Sequence, residues 1–165
     1  MPAGRRVALV LSSVLTVAVA ACAPSPSASA ISAETPQAAA PEFINLVDPW
    51  PYPFSSAVKT GGLIFVSGQI GTVVREGQPV LVEGGIEPEA RQAMENIKAV
   101  VERAGSSMDR VVKCTVMLAD MAEWPAFNTI YAGYFPGPKP ARAAWGATAL
   151  ALGARVEVDC IAAAR

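Results

Sequence analysis

The chain has 165 residues, enough for one ordinary domain with short additions, and 52% of them are apolar, enough to fill a core. Its 13 basic and 14 acidic residues leave a net charge of −1, without the basic surface that phosphate backbones require. There is no histidine, which excludes Ser-His-Asp and Cys-His catalysis and His-based metal sites.

Arg5-Arg6 precede a largely apolar, uncharged stretch from Val7 to Val19, followed by the small residues Ala20-Ala21. That stretch is shorter than the roughly 20 residues of a spanning helix, so it reads as an export leader. Val19-Ala20-Ala21-Cys22 resembles a bacterial lipobox, in which Cys22 is acylated after cleavage. Ordinary cleavage after Ala21 or Ala30, releasing a secreted or periplasmic protein, is the alternative; the arginine pair is a weak match to a twin-arginine signal. The organisation expected is a leader over 1–22, an Ala/Pro/Ser-rich linker over 23–42 and a domain over 43–165. Its expected location is the cell envelope, with a lipid on Cys22 as the sole membrane contact.

Within the domain, Ala57–Lys59 and Leu63–Ile70 flank Thr60-Gly61-Gly62 and predict a hairpin. A short strand over Pro79–Val82 ends at Gly84-Gly85. A helix follows, with Glu87 and Glu89 in its first turn, Ala90, Met94, Ile97, Val101 and Ala104 at helical spacing, and Gly105 as its stop. Arg110–Leu118 predicts a strand, and Asp120 an N-cap for a second helix running to Tyr134. The stripe Trp124, Phe127, Tyr131 and Tyr134 on that helix reads as core packing. Pro136, Pro138 and Pro140 break it, and strands over Ala141–Leu150 and Arg155–Ile161 close the chain. The fold class is α+β, two helices on one face of a mixed sheet.

Alternation sends Val112, Cys114, Val116 and Leu118 one way and Lys113, Thr115 and Met117 the other; Val156, Val158 and Cys160 oppose Glu157, Asp159 and Ile161. The face without helices carries Met117, Ile161, Leu63 and Phe65, so a homo-oligomer is expected. Cys114 and Cys160 share the helix side and are expected as buried thiols; a bridge stays open if their strands are neighbours in an oxidising compartment. With no CxxC spacing and no GxGxxG or Walker loop, neither a metal nor a cofactor is expected. Arginine, carboxylates, hydroxyls and backbone groups remain, a set suited to a small carboxylate that is already reactive.

Ser67-Gly68-Gln69-Ile70, Arg91-Gln92-Ala93, Asn96-Ile97, Val112-Lys113-Cys114-Thr115-Val116, Asn128 with Tyr131, Pro140-Ala141-Arg142 and Val156-Glu157-Val158 occur in this order. Together they resemble the reactive intermediate deaminase (Rid, RidA-like) family over all of the chain after the linker. The resemblance implies a chorismate-mutase-like fold, a homotrimer with sites between subunits, and hydrolysis of 2-imino acids to 2-keto acids and ammonia.

By that resemblance Arg142 holds the substrate carboxylate, its planar fork gripping both oxygens; a structural ion pair is the other reading. Glu157 orients or deprotonates the attacking water, or pairs across an interface. The backbone carbonyl of Ala144 helps hold the water, and Ser67 lines the pocket or merely ends a strand. Lys113 reads as an interface residue and Asn128 as a buried, hydrogen-bonded one. Two positions depart from the pattern. The usual Gly-Pro-Tyr is Tyr52-Pro53-Phe54, so the pocket hydroxyl is absent at Phe54, and Trp145 replaces an aliphatic residue. A non-catalytic, lipid-anchored trimer that binds a small carboxylate or a protein partner is the alternative function.

Overall fold

The computed structural model describes residues 39–47 and 51–165, all within the unit Pro36–Arg165. The expected leader, Cys22 and the linker up to residue 38 lie outside the described residues. Ten elements follow in chain order: β1 (Glu42–Ile44), β2 (Ala57–Thr60), β3 (Leu63–Ile70), β4 (Thr72–Arg75), β5 (Gln78–Leu81), α1 (Ile86–Arg103), β6 (Val111–Leu118), α2 (Trp124–Gly133), β7 (Ala141–Gly146) and β8 (Val156–Ala163). Six strands make one sheet in the order β1-β2-β3-β8-β6-β7, while β4 and β5 form a separate hairpin. All pairings in the large sheet are antiparallel except β6 with β7, which is parallel. Among the described residues no helix is long and apolar enough to cross a membrane.

The core lies between the helices and one face of the sheet. Val116, Leu118, Val156, Val158 and Cys160 from the strands meet Met94, Ile97 and Val101 of α1 and Phe127 of α2. Fully burying side chains such as Met94 and Ile97 contributes about 1.5–3 kcal/mol each. The first turn of α1 lies against the β3–β4 kink, where a Cβ on Gly71 would fall 2.6 Å from Glu89 Cα. Asn96 Nδ2 donates to the carbonyls of Ile70 and Thr72, each at 3.0 Å, and so fixes that kink to the helix.

The Thr60–Leu63 hairpin forms as expected, Gly61 and Gly62 both taking the positive φ of a tight turn. Several boundaries differ from expectation, each for a local reason. Hairpin β4–β5 turns on Glu76-Gly77, both at positive φ, so the expected lone strand over Pro79–Val82 is the second arm of a pair. Asp120 caps a short 3₁₀ turn, Met121–Glu123, by accepting the Ala122 N–H at 2.9 Å, and α2 starts afresh at Trp124 with a proline in its first turn. β7 stops at Gly146, where Ala147 N–H reaches back to the Leu118 carbonyl. An irregularity in the β6–β8 register between Val111 and Lys113 leaves Val112 exposed, against the simple alternation.

The cysteines also depart from the reading of two thiols: Cys114 and Cys160 form a disulfide. They are direct register partners on adjacent antiparallel strands, with Cα atoms 4.1 Å apart, and the bond is buried. Their separation of 46 residues corresponds to about 4 kcal/mol of stabilisation in the chain-entropy account. The Cys114→Ala/Cys160→Ala double variant is expected to lose about 2–5 kcal/mol, measured from its urea midpoint. An unchanged midpoint would show that the bridge adds nothing to the packed core.

Candidate functional site

Arg142 stands on the outer strand β7, in register with Cys114, and therefore on the helix side of the sheet. Its guanidinium Cζ lies 4.6 Å from the ring centroid of Trp124 and 4.5 Å from that of Tyr131. Both rings come from α2, seven positions apart, and Phe127 lies between them, stacked on Trp124 and tilted against Tyr131. Contacts of this kind hold a guanidinium by the electron-rich ring face and leave its in-plane N–H edges available. Among the described residues Arg142 makes no ion pair, so the structural-ion-pair reading of it has no counterpart there. The Tyr131 hydroxyl is buried without a hydrogen-bond partner, and burial raises its pKa while Arg142 opposes the rise. Ala144 shares this side, half-buried against the core.

Glu157 belongs to the other side of the sheet. It alternates with the buried Val156 and Val158 on β8 and pairs in register with Met117, which in turn pairs with Trp145. The carboxylate of Glu157 lies over Gly68: a Cβ there would sit 2.0 Å from Oε1. Ser67, next to it, donates its hydroxyl to the Ser55 carbonyl at 2.7 Å and its N–H to the Ser56 carbonyl at 3.0 Å. That hydroxyl thus ties down the segment carrying Phe54, whose ring stacks on Tyr52 with centroids 5.5 Å apart. Ser67, Gly68 and Glu157 consequently form one group, with Trp145 on the same face and half exposed. Lys113 Nζ donates to Thr115 Oγ1 at 3.1 Å.

One chain therefore does not join Arg142 to Glu157. They emerge from opposite faces, on strands separated by β6, about 10 Å apart at the usual strand spacing. The candidate site exists as two halves: Arg142 with Ala144, and Glu157 with Ser67, Gly68 and Trp145.

The family described as Endoribonuclease L-PSP matches residues 49–164. The 2-iminobutanoate/2-iminopropanoate deaminase of Mus musculus is 46% identical over 110 residues, 67% of this chain and 80% of that protein. The chloroplastic Reactive Intermediate Deaminase A of Arabidopsis thaliana is 39% identical over 110 residues, 67% of this chain but only 58% of its own length. Among solved structures, E. coli TdcF with bound serine superposes with a TM-score of 0.64 at 25% identity, covering 74% of this chain and 94% of that one. The chain belongs to the Rid family.

In this Rid chain the two candidate groups differ in their surroundings. Burial raises the Glu157 pKa, and the charge of Asp159, two residues along the same face, adds to the rise. That is the direction a proton-accepting carboxylate needs near neutral pH. Trp124 and Tyr131 were visible as a helical stripe, but a stripe does not say which rings face a distant strand. Tyr134 packs against the core from the same stripe while its hydroxyl donates to the Glu95 carboxylate at 2.7 Å, and Phe135 lies tilted against Tyr131. The Ser67-Gly68-Gln69-Ile70 motif needs its glycine for the space it leaves for Glu157. A cavity of about 420 Å³ along α1, lined by Val82, Glu87, Pro88, Arg91, Gln92 and Glu95, includes no residue of either half.

Gly68→Ala is expected to push the Glu157 carboxylate outward, since the obstructing atom ends a flexible side chain. Carbon-detected NMR of Glu157 would then show its pKa falling back toward the ordinary glutamate range, with little change in melting temperature. A variant in which Glu157 titrates as in the wild type would show that Gly68 is not its seat.

Proposed function

We propose that the chain hydrolyses small 2-imino acids to 2-keto acids and ammonia, in a homotrimer that brings Arg142 of one subunit to Glu157 of the next. The observation that carries this reading is the state of Arg142: exposed, unpaired among the described residues and held flat on two rings, with its edges open to a carboxylate. Both oxygens of a carboxylate fit such an edge. The imine carbon is already electrophilic, so the remaining requirement is a placed water. Glu157 takes a proton from that water as its oxygen bonds to the imine carbon, and the proton passes to the nitrogen. The resulting carbinolamine collapses to the ketone and expels ammonia. No electrons are exchanged with a cofactor.

The names of the mouse and plant relatives support the reaction class, and the serine bound to TdcF supports a small carboxylate ligand. The nuclease in the family's description is not carried over, because a net charge of −1 lacks the basic excess that phosphate backbones call for. We also propose that the protein is exported and anchored through Cys22. The buried disulfide supports an oxidising compartment. Phe54 and Trp145 favour a second reading, in which the same pocket binds a carboxylate without turning it over.

One assay separates the two. The full-length chain is given 2-iminobutanoate generated in situ, with semicarbazide competing for the imine, and keto-acid release is followed. Activity that disappears in Arg142→Ala supports hydrolysis; equal background rates for both proteins would sink it for this substrate.

Because Glu157 must be ionised to accept the water's proton, the rate falls as pH drops through its raised pKa. Asp159→Asn removes one of the two causes of that rise. The acid limb of the kcat/KM profile is expected to move to lower pH in this variant, and a limb that stays in place would argue against Glu157 as the base.

A further inference from the structure

The two rings under Arg142 occupy more than core volume. Tyr131 is buried, and Trp124 follows Glu123, whose carboxylate is paired with the Arg155 side chain. The main-chain N–H of Arg155 is itself held by the Glu89 carboxylate at 2.8 Å. The N-terminal end of α2 is thereby tied to the start of β8 and to α1, and Phe127 fills the gap between the two rings. A long arginine on an exposed outer strand otherwise samples many rotamers, and a ligand that needs one of them must order it.

We infer that Trp124 and Tyr131 are positioning residues: a two-ring platform that sets the plane of the Arg142 guanidinium before a carboxylate arrives and so determines affinity for it. The inference rests on Arg142 being the carboxylate clamp of the proposed function. The platform acts through ring faces and not through the Tyr131 hydroxyl, which has no partner. Ring-retaining substitutions therefore preserve it, and aliphatic ones of similar bulk do not.

The test is calorimetric titration of the full-length chain with 2-oxobutanoate, which carries the carboxylate but has no imine to hydrolyse. Trp124→Leu and Tyr131→Leu are each expected to weaken binding by about fivefold or more, the range that loss of one cation–π contact allows. Trp124→Phe and Tyr131→Phe are expected to stay within about twofold of wild type, by the same argument. In turnover, the leucine variants raise KM with kcat little changed, as loss of ground-state clamping requires. If they bind like wild type while Arg142→Ala does not bind, the platform is overturned and the clamp stands. If Arg142→Ala binds like wild type, both fall.

A second measurement covers the case in which the leucine variants do not fold. The Arg142 Nε–H proton, assigned by NMR in the unliganded wild type, is expected upfield of a free arginine because of the two ring currents. A free-arginine shift there would overturn the platform without any variant.

Discussion

The backbone of β8 is hydrogen-bonded on both sides, to β3 and to β6, so its side chains alternate with no freedom to choose a face. Val156, Val158, Cys160 and Ala162 go to the helices, and Glu157, Asp159 and Ile161 go to the opposite side. A slip of one residue would drive Glu157 and Asp159 under α1, at a desolvation cost of several kcal/mol per ion. The same register lays Cys160 against Cys114 and, one strand further, sets Arg142 level with them. The alternation that fills the core thus also decides the face on which each chemical group emerges.

Local patterns carried the parts of this arrangement that depend on local physics. The period of α1, its acidic first turn and its Gly105 stop were legible, as were the Gly61-Gly62 hairpin and the two faces of β8. What escaped the sequence depends on which distant segments become neighbours. Cys114 and Cys160 give no sign in the chain that they face each other; only the adjacency of β6 and β8 does so. The resemblance assigns Arg142 and Glu157 to sites between subunits, but that the two leave one chain on opposite faces follows only from where β7 and β8 lie beside β6. The Val112 irregularity is a further case, since strict alternation would bury a residue that a bulge exposes.

The halves differ in how they treat charge. Glu157 is partly withdrawn from water beside a second carboxylate, and both effects make its proton harder to lose. Arg142 keeps its solvent exposure and rests on neutral rings; the Tyr131 phenol, raised by burial, stays protonated through the working range. A carboxylate withdrawn from water and a cation held by polarisable faces suit the proposed reaction, because neither neutralises the other in advance. Had they met within one chain, a salt bridge would have occupied the edge of Arg142 that a substrate needs and depressed the basicity of Glu157.

Opposite faces also constrain the assembly. A twofold dimer uses one self-complementary patch on both copies, and one patch cannot span both faces of a sheet. A head-to-tail contact uses two different patches, which in the proposed assembly are the Arg142 side of one copy and the Glu157 side of the next. Such contacts form rings when their rotation closes, and the proposed trimer is a ring of this kind. Each site in it takes one half from each of two copies, so all three sites form only when the last contact closes. Phe65 and Trp145, half exposed on the helix-free face with Met117 and Ile161, then have apolar surface to meet at the same boundary. The exposed apolar face and the Glu157 carboxylate lie on one side of the sheet, so in the proposed ring the contact that buries the first also brings a partner's Arg142 side to the second.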